Sequence, residues 1–259
     1  MSDEAQDRLE FSETLGRLLR KGPLDQLGVG TARRIEALID AGQYEEAKLM
    51  TQYFRKEFEV VHDIYARYVQ DLLQFIAENL GENQVAVAFR SSLEGWFKER
   101  YDVYNRLSLE EKVQLTAEGM RCHLDGPERQ GDFEIVEEKE RYVFKWDPCG
   151  SGGVLRRAAA AEGRELASAK EAHDWTWGKK GVCLYCSHCS LVNEILPIEH
   201  YGYPNRITEY PENPGDPCLW YIYKDPDDIP EQYYTRIGKT KPARRAASTE
   251  LGKRAERGE

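Results

Sequence analysis

The sequence predicts an α+β protein: an N-terminal helical layer packed on a small antiparallel sheet with a Cys-rich metal site. Three observations predict it. Apolar residues recur at spacings of three and four through the first half of the 259-residue chain. Beyond about residue 130 they alternate with polar ones, the period of a half-buried strand. Cys183, Cys186 and Cys189 then fall within seven residues.

Taken in order, residues 10 to about 122 read as helix, punctuated early by Pro23 and Gly28-Val29-Gly30. From Glu57 to Leu80, Val61, Ile64, Tyr65, Tyr68, Leu72, Phe75 and Ile76 form one apolar stripe, and Gly81 marks the stop. Ser108-Leu109-Glu110-Glu111 is a capping box: the serine hydroxyl accepts from the Glu111 amide while the Glu111 carboxylate accepts from the serine amide. The texture changes at Asp125-Gly126-Pro127. Phe133 and Ile135, then Tyr142, Phe144 and Trp146, predict a hairpin turning at 137–140. Residues 154–172, rich in Ala and Arg, are expected to be helical. Residues 205–210 and 218–224 are expected as strands, joined by the Pro/Gly-rich turn 211–217. The expected divisions are a helical region (1–124), a Cys-rich metal- and ligand-binding region (125–238) and a basic tail (239–259).

Composition narrows the function. No window approaches 18 consecutive apolar residues, so no membrane partner is expected. The first 21 residues open acidic and lack the apolar block of a secretory signal, which predicts a cytoplasmic protein. A net charge of −10 argues against a nucleic-acid partner, because a phosphate backbone would be repelled over most of the surface. Residues 239–259 run the other way, at net +4, and read as a solvated, disordered tail. The expected partner is a small molecule, with a homodimer also expected.

Six cysteines are too few for a disulfide scaffold in a reducing compartment. Cys183-Leu184-Tyr185-Cys186-Ser187-His188-Cys189 instead offers soft ligands in one short stretch. Zinc takes thiolate at about 2.3 Å and imidazole at about 2.0–2.1 Å. His188 and Cys189 are adjacent and expected to point apart, so at most three local ligands are expected. Cys149 or Cys218, each after Asp-Pro, would supply the fourth. Three readings stay open: zinc, iron or an iron–sulfur cluster through Cys183-x2-Cys186-x2-Cys189 plus a distal Pro-Cys, and a thiol pair without metal.

A catalytic metal site also needs a proton carrier. Glu194, His188 and His200 are the candidates, Glu194 and His200 being weighed against an ordinary surface or salt-bridged role. Gly150-Ser151-Gly152-Gly153 can turn successive backbone amides toward an anion, and Arg156 just beyond can hold a carboxylate. The competing reading is a plain strand-to-helix turn. Aromatic residues crowd this half, among them Trp177, Tyr185, Tyr210 and Trp220, and suit either a core or a pocket for a flat ligand.

The order Phe144-Lys145-Trp146-Asp147-Pro148-Cys149, then Cys183–Cys189, then Gly202-Tyr203-Pro204 leading through Thr208 to Asp216-Pro217-Cys218-Leu219-Trp220-Tyr221-Ile222 resembles the 4-vinyl reductase-type domain. It is also similar to the related L-2-amino-thiazoline-4-carboxylate hydrolase group. The resemblance covers about 90 residues. It implies a small-molecule pocket between helices and sheet, with a cysteine-held zinc beside it in the sensory members. The extra Cys183-x-x-Cys186-x-His188-Cys189 density and the Gly-Ser-Gly-Gly run depart from that pattern. Together these point to a metal-dependent, zinc-using hydrolase or lyase acting on a small carboxylated or heterocyclic compound. The alternatives are a small-molecule-binding or sensory protein with structural zinc, or an iron–sulfur protein.

Overall fold

A computed structural model describes residues 8–126 and 129–243. Residues 127 and 128, most of the expected basic tail and the start of the acidic N-terminus lie outside the described residues. The chain divides into two units at Ile64 and Tyr65, so the boundary expected near residue 124 falls inside the second unit.

The first unit corrects the all-helical expectation. β1 (Arg8–Ser12) and β2 (Arg17–Lys21) form an antiparallel hairpin with Arg8 opposite Lys21 and Ser12 opposite Arg17. Gly16 closes its turn at a φ of 61°, a conformation open to glycine. Then follow α1 (Leu24–Leu27), α2 (Thr31–Asp40) and the start of α3 (Tyr44–Leu80). Leu38, Ala47, Met50 and Tyr53 form the core of this unit. Arg20 ties its loops together by donating to the carbonyls of Gln26 and Val29 at 2.6 and 2.7 Å.

In the second unit α3 continues to Leu80 and ends at Gly81, whose φ of 96° fits the expected stop. The stripe on this helix is placed differently from expectation. Tyr65, Tyr68 and Phe75 are 65%, 61% and 59% exposed, and Val61, Ile64 and Leu72 are exposed as well. The face carrying Ala66, Gln70 and Leu73 is buried instead. Gln70 makes that burial possible. Its Oε1 accepts from the Tyr185 amide at 2.8 Å and its Nε2 donates to the Ala167 carbonyl at 2.8 Å. A polar residue buried with both ends satisfied leaves no mark in hydropathy.

α4 (Asn83–Arg106) and α5 (Leu109–Arg121) complete the helices before the sheet. The expected capping box is present: the Glu111 amide donates to Ser108 Oγ at 3.2 Å and the Ser108 amide to Glu111 Oε2 at 2.8 Å. Ser108→Ala is expected to remove about 1 kcal/mol of stability, read as a lower urea midpoint with an unchanged slope.

The expected hairpin is β3 (Glu134–Glu137) with β4 (Arg141–Trp146), and the later strands are β5 (Ile207–Glu209) and β6 (Cys218–Tyr223). They form one antiparallel sheet in the order β3-β4-β6-β5, with Cys218 opposite Trp146. Phe144, Trp146, Trp220 and Ile222 pack on one another and on Ala117 and Met120 of α5. Between β4 and β5 run α6 (Gly152–Ala161), a π-helical turn (Ser190–Ile195) and α7 (Leu196–Tyr201). α6 is shorter than the expected helix over 154–172, since the chain turns out at Gly163 with φ 61°. α8 (Gln232–Thr235) follows β6. Helix and sheet together make the second unit α+β. Among the described residues no helix is long and apolar enough to cross a membrane.

Candidate functional site

The two Asp-Pro-Cys segments meet because of sheet register. Cys218 opens β6 opposite Trp146, and Cys149 lies three residues beyond Trp146 on the neighbouring strand's exit. From there the chain enters α6, which a succession of glycines allows to lie close to its neighbours. A Cβ on Gly150 would stand 1.7 Å from the His123 carbonyl oxygen, and one on Gly152 would stand 2.3 Å from Cys186 Sγ. These glycines are required by close approach.

Cys149, Cys186, Cys189, Cys218 and His188 line one cavity together with Gly152, Gly153 and Arg156. Trp177, Tyr185, Tyr210 and Trp220 make its apolar walls. It encloses about 460 Å³ of empty space counting its mouth, and Thr208 and Asp216 complete its lining.

Not every predicted residue reaches it. Cys183 is buried with its sulfur toward Gln70, donating to Oε1 at 3.4 Å, and does not line the cavity. The neighbouring Cys186 thiol lowers the Cys183 pKa, while that of Cys186 is raised. Gly150 and Ser151 are turned away. The Gly150 amide donates to the buried Asp125 carboxylate at 2.5 Å, and Ser151 Oγ lies 2.9 Å from His123 Nδ1. Only the second half of the predicted glycine nest, Gly152 and Gly153, faces the cavity, at the start of α6.

His188 and Cys189, expected to diverge, converge. The chain coils tightly from Tyr185 into the π-helical turn, and Cys189 Sγ comes within 3.6 Å of His188 Nε2. His188 Nδ1 lies 2.6 Å from the Tyr185 carbonyl, which can only accept. Nδ1 therefore carries the proton, and Nε2 presents a lone pair to the thiol. Burial holds the His188 pKa below its ordinary value, so the ring is neutral near pH 7.

Glu194 is corrected as a cavity proton carrier. It is fully buried, and its Oε1 accepts from Trp177 Nε1 at 2.8 Å and from the Thr208 amide at 2.9 Å. Arg236 Nη2 donates to both of its oxygens, at 2.9 and 3.2 Å. The carboxylate is consumed in holding the π-helical turn to β5 and α8, and it does not line the cavity. Arg156, only 8% exposed, does line it. It donates to the carbonyls of Pro211 and Glu212 at 2.9 and 3.1 Å and lies 4.6 Å over the Tyr210 ring. Carbonyl partners neutralise no charge, so the guanidinium keeps its attraction for an anion.

Burial pushes Cys149 and Cys189 up to about 12 and raises Cys218 too, which makes them neutral thiols unless a cation displaces their protons. In kind, four thiols and an imidazole suit a thiophilic metal. In spacing they do not suit one ion: among the described residues no three His, Cys, Asp or Glu side chains form a group able to hold it. Sequence reasoning missed Gln70, Asp125 and Thr208. Each is an ordinary polar residue whose role arises from partners distant in sequence. No known protein family, curated protein or solved structure matches the chain.

Proposed function

We propose that this chain is an enzyme of the hydrolase or lyase type acting on a small carboxylated or heterocyclic compound, which binds at the thiol-lined cavity. One observation carries the reading: the start of α6, Arg156, an imidazole and four aromatic rings all border the same opening. A carboxylate at Gly152 and Gly153 gains from the partial positive charge of a helix N-terminus, about 0.3–1 kcal/mol, and from Arg156 nearby. A flat ring is accommodated between Trp177, Tyr210 and Trp220. His188 Nε2, already an acceptor, takes the role of general base. The single-zinc centre of the sequence reading has the right donors and lacks ligand spacing, so no step is routed through it.

A binding protein without turnover is the second reading. It is favoured by the withdrawal of Glu194 into its bonds with Arg236 and by the engagement of Asp216, the carboxylate that does line the cavity, with Asn213.

Titration calorimetry with thiazoline-, thiazole- and pyridine-carboxylates tests both. Binding is expected for at least one, and Arg156→Ala is expected to weaken it about tenfold while Arg156→Lys weakens it less. If turnover is found, Arg156→Ala should raise KM more than it lowers kcat, since a carboxylate clamp acts on ground and transition states alike. A tightly bound ligand indifferent to Arg156 would overturn the placement. Binding with no product under any condition would favour the second reading.

A further inference from the structure

We infer that the inner void is an iron–sulfur site, with Cys149, Cys186, Cys189 and Cys218 as the four ligands of a [4Fe–4S] cluster. The cluster would occupy the inner part of the cavity named in the proposed function and leave a small molecule its mouth, and the inference does not depend on the small-molecule reading.

The four thiols come from three separated segments: the loop before α6, the helical stretch 185–189 and the first residue of β6. They nevertheless line one void. A zinc ion held by four thiolates at about 2.3 Å would draw the sulfurs into mutual contact and leave no room among them for water. The cavity is larger than that, with about 460 Å³ of empty space counting its mouth. Such a space holds a body of several atoms. This accounts for two observations that conflict under a single-ion reading. Four cysteines face one space, yet no three protein donors stand close enough together to share one ion.

The surroundings also suit a cluster. Its lining is mostly thiol and aromatic, with Arg156, His188, Thr208 and Asp216 as polar members, and water exclusion is one lever that sets cluster stability and potential. Arg156 lines the same space and offsets part of the charge that four thiolates bring. Gly152 leaves space at the cavity wall that any side chain would deny to Cys186 Sγ. The ligand set differs from the Cys183-x2-Cys186-x2-Cys189 run expected from sequence. Only its last two cysteines face the void, and both Asp-Pro-Cys segments complete the four.

The test uses the full chain purified without oxygen or chelator from iron-fed cells. Iron and acid-labile sulfide are expected in equal amounts, about four of each per chain. A broad absorbance near about 400 nm that dithionite bleaches is expected with them. Serine at 149, 186, 189 or 218 should each lower bound sulfide at least about fivefold, whereas Cys122→Ser and Cys183→Ser should retain it. Far-ultraviolet circular dichroism on each variant separates loss of ligand from loss of fold, and the sulfide content of the unaltered chain decides the matter even where a variant fails to fold. Zinc without sulfide, iron without sulfide, or no metal would each overturn the inference. Carboxylate binding measured on the same samples distinguishes its failure from failure of the proposed function.

Discussion

Glu194→Ala is expected to destabilise the second unit by about 3–5 kcal/mol, the cost of breaking a buried ion pair from one side. The carboxylate is wholly enclosed, and four donor contacts converge on it, from Trp177, the Thr208 amide and twice from Arg236. Its removal takes the nearer of two carboxylates from Arg236, leaving Glu209 at 3.4 Å and the Thr208 carbonyl at 2.8 Å. It also leaves an indole N–H and a strand amide without their acceptor. Glu194→Gln should cost less, since its amide oxygen still accepts from Trp177 and Thr208 while its NH₂ group opposes Arg236. Urea unfolding followed by tryptophan fluorescence measures both. A Glu194→Gln chain of native stability that has lost turnover by about 10²–10⁴-fold would restore the proton-transfer role that the sequence suggested.

That residue shows where reading the sequence stops. Glu194 follows Cys189 by five positions, and proximity along the chain made it a natural assistant to a metal. Its fate is set by Arg236, 42 residues further on, and by an amide of β5. No local pattern encodes such a pairing. The same holds for α3. Spacings of three and four identify an amphipathic helix but not the face its neighbours will cover. Gln70 won burial because two backbone groups near residues 167 and 185 needed partners. Local signals fared better. The Ser108 capping box and the alternation through Tyr142, Phe144 and Trp146 are settled within a few residues, and the structure contains both. The N-terminal hairpin was only half legible: Arg8–Ser12 alternates polar and apolar over five residues, but its partner Arg17–Lys21 does not.

At the site, cysteine chemistry was legible and its partition was not. Cys183, Cys186 and Cys189 look equivalent in sequence. The bridge between Ser168 and Cys183 fixes the first with its sulfur toward α3, and the helical coil that follows turns the other two to the cavity. Gly150 and Gly152 are likewise equivalent members of one glycine run. They differ in what stands against them.

That difference yields the second large effect. Gly150→Ala is expected to cost about 3 kcal/mol or more, toward the upper end for overpacking. Its Cβ would lie 1.7 Å from the His123 carbonyl oxygen, 2.7 Å from the carbonyl carbon and 2.9 Å from the Leu124 carbonyl carbon. These are backbone atoms between α5 and the turn at Asp125, and no rotamer relieves the clash. Any displacement of the loop also breaks the bond from the Gly150 amide to Asp125, leaving a buried carboxylate short of a donor. Gly152→Ala meets only a sulfur, at 2.3 Å, and a rotation of Cys186 can relieve it. Its cost to stability is expected to be about 1 kcal/mol, but the sulfur must leave its place on the cavity wall. The two variants should therefore separate folding from site assembly. In urea unfolding Gly150→Ala shows the large loss, whereas Gly152→Ala keeps most of its stability and loses most of the bound sulfide measured on the purified chain. If Gly152→Ala retained bound sulfide at the level of the unaltered chain, Cys186 would not need its position against α6, and its assignment as a ligand would fall.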